Sequence, residues 1–173
     1  DALYKARRDK TMHRNFMGYT TQHSELLLGL GVSSISDTWT AFAQNHKEVE
    51  EYEALVNSGQ LPVVKGHILS NEDQYIRRHM LNLMCQSSTT WNNNDTYAPL
   101  MQVAVERLQP LINDGLLTIH PTLTENKLIP NITTYRVQIT ETGKLFLRNI
   151  ALQFDTRYWS KDANDKPVFS KSI

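Results

Sequence analysis

Cysteine is nearly missing: the 173-residue chain has one, Cys85. A single thiol excludes an internal disulfide framework and suits a reducing compartment. It also excludes a zinc site or iron–sulfur cluster held by the cysteines of this chain alone. Long apolar runs are missing too. No stretch approaches the roughly 20 residues needed to span a bilayer, and no basic-then-apolar leader opens the chain. A soluble, cytoplasmic protein with no membrane partner is therefore expected. No excess of one charge is present, with 18 Lys+Arg against 18 Asp+Glu. That balance gives no global attraction to nucleic acid, and none is expected as a partner. The six histidines, His13, His23, His46, His67, His79 and His120, have no ligand spacing, so no metal site is read.

What is present suits a globular fold: 40% hydrophobic and 9% aromatic residues rule out wholesale disorder. The length allows one compact domain, or a small domain plus a piece of another. A chain opening on Asp1 is expected to be a fragment of something longer. Leu26-Leu27-Leu28, followed by Gly29, Gly31 and Val32, reads as a buried strand of a parallel sheet, with glycines admitting a close neighbour. His46 to Asn57 reads as a helix with Val49, Tyr52, Leu55 and Val56 on one face and Gly59 at its C-terminal cap. The stretch "RNFMGYTTQ", Arg14 to Gln22, shows neither a helical nor a strand period.

After Leu61-Pro62-Val63 the pattern changes to helices with a short hairpin. Ser70 is the expected N-cap of a helix carrying Ile76, Met80, Leu83 and Met84 on one face, which the polar run "STTWNNNDT" breaks. Pro99 opens the next helix, Pro110 kinks or restarts it, and Asp114-Gly115 ends it. Leu117 and Ile119, then Tyr135, Val137 and Ile139, alternate as a two-stranded hairpin whose loop spans roughly Pro121 to Thr133. A last helix carries Leu145, Leu147, Ile150 and Phe154. The fold class expected is an α/β fragment followed by a mostly helical, winged-helix-like domain, with the division at residues 1–60 and 61–173.

Single motifs carry little chemistry. The helix before the hairpin offers Gln102, Glu106, Arg107 and Gln109, a weak face for reading DNA. Cys85, at the end of an apolar helix, reads as core. Arg77-Arg78 could clamp carboxylates, or pair with Glu72, Asp73 or another domain. Gly29-Leu30-Gly31 lacks the rest of a dinucleotide fingerprint. Asn94-Asp95-Thr96 and Asn131-Ile132-Thr133 read as polar loops.

Longer runs say more. "HRNFMGYTTQ", "LLGLGVSSIS", "FAQN", "IRRHMLNLMC", the late "LFLRNIALQFDTRYW" and the closing "FSKSI" resemble the C-terminal part of oxygen-independent coproporphyrinogen III oxidases, radical S-adenosylmethionine enzymes of haem biosynthesis. The RNF-x-GYTTQ run also separates this resemblance from the related haem chaperones, which lack it. A chaperone fragment and an unrelated winged-helix interaction module are the alternatives.

The resemblance implies that residues 1–60 end a radical S-adenosylmethionine partial barrel. The intact enzyme would use S-adenosylmethionine and a 4Fe-4S cluster held by a C-x-x-x-C-x-x-C loop, absent here. It would convert two propionates of its partner, coproporphyrinogen III, to vinyl groups, giving protoporphyrinogen IX. This fragment alone is expected to be inactive, with no catalytic residue and no metal ligand of its own, and a monomer. The resemblance also places Ile35, with Gly31, Ser33 and Ser34, beside a second S-adenosylmethionine. Met17 stands where the family often has Gln, and thioether sulfur cannot make an amide's hydrogen bonds.

Overall fold

The computed structural model describes residues 1–121 and 133–161. The chain forms two compact units, Asp1–Arg77 and a second from Arg78 onward. In the first, helix α1 (Ala2–Arg8) precedes a hairpin of β1 (His13–Asn15) and β2 (Gly18–Thr20). Next come β3 (Leu26–Leu27), β4 (Ile35–Thr38), β5 (Ala41–Asn45), helix α2 (Val49–Asn57) and β6 (Val63–Ile68). Strands β3 to β6 make one antiparallel sheet in that order. Helix α3 (Asn71–Gln86) crosses the boundary between the units.

Several expectations change here. "RNFMGYTTQ" does contain strands: Arg14 pairs with Tyr19 and Asn15 with Gly18 across a tight turn. The Asn15 side chain accepts from the Met17 N–H at 2.9 Å, and Gly18 takes φ +125. Asn first and Gly fourth is a turn signature, and it outweighs the missing alternation. The Leu26-Leu27-Leu28 run is neither parallel nor buried. Leu26 pairs antiparallel with Thr38, and Leu26 and Leu28 are exposed. An apolar run reports what could be covered, and the bend from Gly29 to Ser34 returns the chain alongside instead. Val63–Ile68, expected to lead into the helical domain, is an edge strand paired with β5 inside the compact unit Asp1–Arg77. All six of its residues are exposed, which left no alternation to read.

The helix ends follow their local chemistry. Ser70 and Asp73 cap α3 reciprocally: Asp73 N–H donates to Ser70 Oγ at 3.1 Å, and Ser70 N–H to Asp73 Oδ2 at 2.9 Å. After α2, Gly59 takes φ +75 and donates to the Val56 carbonyl, while Gln60 donates to Leu55. Those two bonds satisfy carbonyls that the helix itself leaves open.

In the second unit α3 leads to β7 (Ser88–Asn92), α4 (Ala98–Asn113), β8 (Leu117–His120) and β9 (Thr134–Ile139). A 3-10 turn (Thr142–Phe146), α5 (Leu147–Leu152) and α6 (Thr156–Trp159) follow. The hairpin is part of a three-stranded antiparallel sheet in the order β7-β9-β8, because "STTWN" is a strand and not only a helix break. Trp91 sits opposite Tyr135 with the rings stacked at 5.7 Å, and both are buried. Helix α4 runs through Pro110 to Asn113. The last helix is split and leaves Leu145 exposed. At its entry Gly143 lies so close that a Cβ would stand 1.8 Å from the Leu116 carbonyl oxygen, so only glycine fits there. Most of the expected hairpin loop, with Asn131-Ile132 and the closing "FSKSI", lies outside the described residues.

Among the described residues, five buried hydrophobic side chains, Ala6, Met12, Leu69, Tyr75 and Ile76, belong to the first unit; seventeen, from Leu83 to Phe154, belong to the second. The second unit thus has more apolar burial to offset chain entropy. Limited proteolysis is expected to cut within Asp1–Arg77 before the second unit yields. Equal protection of both would contradict that ordering.

Candidate functional site

The segment between β3 and β4 is a turn in which the chemistry of small residues is fully used. A Cβ on Gly29 would stand 2.8 Å from the backbone of Ile35, so the two strand ends close only around glycine. Gly31 takes φ +101, which side chains resist. Ser34 Oγ donates to the Gly31 carbonyl at 2.6 Å, and Ser33 N–H donates to the His46 carbonyl at 2.7 Å. Ser33 itself is held at φ +59 with its side chain exposed. That conformation costs a non-glycine residue about 1 kcal/mol. Ile35 then opens β4, half-buried, opposite Gln44.

Gly31, Ser33, Ser34 and Ile35 therefore come together in one turn. Asn45 joins them, and sequence reasoning missed it: its Nδ2 lies 3.1 Å from the Gly29 carbonyl, 3.0 Å from that of Gly31 and 3.0 Å from Ser34 Oγ. Tyr52 was also missed as a partner: its hydroxyl accepts from Gly31 N–H at 3.1 Å. Met17 sits apart, at the exposed tip of the β1–β2 hairpin, next to Phe16, whose ring meets that of Phe42 edge-on at 5.0 Å.

A second cluster lies at the far end of β4. Arg77 reaches both carboxylate oxygens of Asp37 at 2.9 Å and the carbonyls of Thr38 and Trp39 at 3.1 and 3.2 Å. Its guanidinium lies 4.9 Å from the Trp39 ring centre and 4.7 Å from that of Phe42. The arginine does clamp a carboxylate, but one forty residues away rather than Glu72 or Asp73.

In the second unit, His79 is fully buried with Nδ1 2.7 Å from Thr89 Oγ1. Burial pushes its pKa down to about 4, with the Arg78 charge lowering it further and Asp95 opposing. Cys85 is buried as well. Among the described residues no group of three or more His, Cys, Asp or Glu is placed to hold a metal ion. No helix there is long and apolar enough to cross a membrane.

Comparison with known proteins puts this geometry in context. No family profile matches the chain. The oxygen-independent coproporphyrinogen III oxidase of Escherichia coli is 32% identical over 163 residues, covering 90% of this chain and 32% of that enzyme. The Synechocystis enzyme of the same name is 32% identical across 100% of this chain and 36% of its own length. The solved structure of the E. coli enzyme, described as a radical SAM enzyme, superposes with a TM-score of 0.74 over 91% of this chain and 34% of that one. This chain matches part of an oxygen-independent coproporphyrinogen III oxidase. It spans about one third of the length of the curated oxidases it matches. The resemblance seen in the sequence and the mixed α/β fold are both accounted for by these oxidases.

Proposed function

We propose that this chain is the C-terminal part of an oxygen-independent coproporphyrinogen III oxidase, the anaerobic haem-biosynthesis enzyme that turns two propionates of coproporphyrinogen III into vinyl groups and yields protoporphyrinogen IX. The observation that carries the reading is the joint match in sequence and fold along nearly the whole chain. In this reading the first unit closes the radical S-adenosylmethionine domain. The second is the winged-helix-like C-terminal domain, a reading supported by the order α3-β7-α4-β8-β9. A cytoplasmic setting suits its single, buried thiol.

The residues present do not fit the iron–sulfur cluster: one buried cysteine cannot supply the thiolates it needs. This chain by itself is therefore expected to be inactive. They do fit a contact with S-adenosylmethionine, which in the parent enzyme supplies the oxidising chemistry at the propionates. Ser33 offers an exposed hydroxyl on a fixed turn, Ile35 an apolar edge, and Gly31 and Ser34 a backbone without bulk, while Met17, on the separate β1–β2 hairpin, is not part of this cluster.

Ile35→Asp in the full-length protein tests the assignment. An ionised carboxylate placed against an apolar contact loses its water without gaining a partner, so turnover is expected to fall about 10- to 100-fold. Cluster content and circular dichroism should stay near wild type, and Ile35→Val should do much less. Unchanged turnover in Ile35→Asp would remove Ile35 from the site.

A further inference from the structure

We infer that Asn45 and Tyr52 are positioning residues that set the Gly31–Ser34 turn before S-adenosylmethionine arrives, an inference that rests on the reading of this turn given above. Three observations converge on Asn45. Its amide Nδ2 faces three acceptors at once, the carbonyls of Gly29 and Gly31 and the hydroxyl of Ser34. Its own backbone N–H donates to the Ser34 carbonyl at 3.0 Å. The pairing of β5 with β6 shifts register between Gln44 and Asn45, so that Gln44 faces Lys65 while Asn45 faces Val63. Such an irregularity re-aims a side chain out of its place in the ladder. Here the re-aimed side chain is buried and spans both ends of the turn.

The chemistry admits few substitutes for this asparagine. Only a donor can face two carbonyl oxygens, and only a short amide brings two N–H bonds within reach of both. Tyr52 acts from α2 on the opposite polarity, accepting from the Gly31 N–H. With the His46 carbonyl taking the Ser33 N–H, Gly29, Gly31, Ser33 and Ser34 each have a backbone group bonded within the chain. The strained Ser33 is left with its side chain outward. A turn fixed in this way spares a ligand the ordering cost of binding a loose loop.

The experiment uses the full-length protein, with S-adenosylmethionine as the probe. Asn45→Asp keeps the size of the side chain and places carboxylate oxygens against the Gly29 and Gly31 carbonyls. Tyr52→Phe keeps the ring and removes one acceptor. For Asn45→Asp, the hydrogen exchange of the Gly31 and Ser33 amides should quicken at least tenfold, while Ser36 and Ala43 in the β4–β5 ladder remain protected. The KM for S-adenosylmethionine should rise about tenfold with kcat largely retained at saturation, because positioning and not chemistry is lost. Tyr52→Phe should give the same pattern, weaker and strongest at Gly31. Loosened amides with an unchanged KM in both variants would overturn the inference. If Asn45→Asp disrupts the β4–β5 ladder, Tyr52→Phe decides: a raised KM with an intact ladder supports the inference, and an unchanged one overturns it. Ile35→Asp separates the two levels of the argument. If it raises KM and neither positioning variant does, only this inference fails; if all three leave KM unchanged, the site reading fails with it.

Discussion

Replacing Arg77 by alanine is expected to cost the first unit about 3–5 kcal/mol, the range for breaking a buried ion pair by removing one partner. Asp37 is 8% exposed and receives both of its charge-assisted bonds from Arg77. Without the guanidinium it is left as a desolvated carboxylate. The carbonyls of Thr38 and Trp39 lose their donor, and the rings of Trp39 and Phe42 lose the cation between them. A unit with so few buried hydrophobic residues has little reserve against such a loss, so the expected result is unfolding of Asp1–Arg77. Hydrogen exchange at the amides of Ile35–Thr38 and Ala41–Asn45 measures it. Arg77→Lys should keep part of the protection, since an ammonium cannot fork across both oxygens. Adding Asp37→Asn to Arg77→Ala should recover part of it, because the stranded charge is removed. Undiminished protection in Arg77→Ala would show that the ion pair contributes little.

The second large effect is a loss of stability on acidification, centred on His79. An unfolded histidine takes up its proton near pH 6.5, whereas His79 in the fold does so only near pH 4. Between those values the unfolded chain binds more protons, so stability is full above about pH 6.5 and is lost as pH falls toward 4. At about 1.4 kcal/mol per pH unit the loss approaches 3 kcal/mol. Neutral imidazole is what the site accommodates: the ring is fully buried, with Nδ1 bonded to the Thr89 hydroxyl. Urea unfolding of the second unit at pH 7, 5.5 and 4.5 should show this decline, and His79→Gln should flatten it even though it starts from lower stability. An equal slope in both proteins would place the acid sensitivity elsewhere.

What could be read from the sequence follows the physics of each signal. Helices α2, α3 and α4 were legible because their caps and apolar faces are local: Ser70, Pro99, Gly59 and Gly115 mark ends that the structure keeps. The alternation of Leu117, Ile119, Tyr135, Val137 and Ile139 was legible because one face of that sheet is buried. Strands β6 and β7 were missed for opposite reasons. Every residue of β6 is exposed, and in β7 a polar threonine, Thr89, shares the burial with Trp91. Arg77 and Asp37 stand forty residues apart, so their pairing belongs to topology and not to any local pattern. The turn at Gly31 to Ser34 was singled out for its small side chains, and the structure supplies a reason at once stricter and more local. Gly29 avoids the Ile35 backbone, Gly31 takes a left-handed φ, and Ser34 bonds within the turn. Asn45 and Tyr52 carried no signal of their own, because an amide and a phenol in sequence do not reveal which carbonyl or N–H they will meet.

The central proposal is that this chain is part of an enzyme that decarboxylates coproporphyrinogen III without oxygen. It is tested most directly by incubating the full-length protein, its iron–sulfur cluster reconstituted, with coproporphyrinogen III, S-adenosylmethionine and a low-potential reductant under strict anaerobiosis. The account predicts protoporphyrinogen IX with two molecules of carbon dioxide released per porphyrinogen, and none when S-adenosylmethionine is left out. A reconstituted, S-adenosylmethionine-cleaving protein that leaves coproporphyrinogen III intact would contradict it.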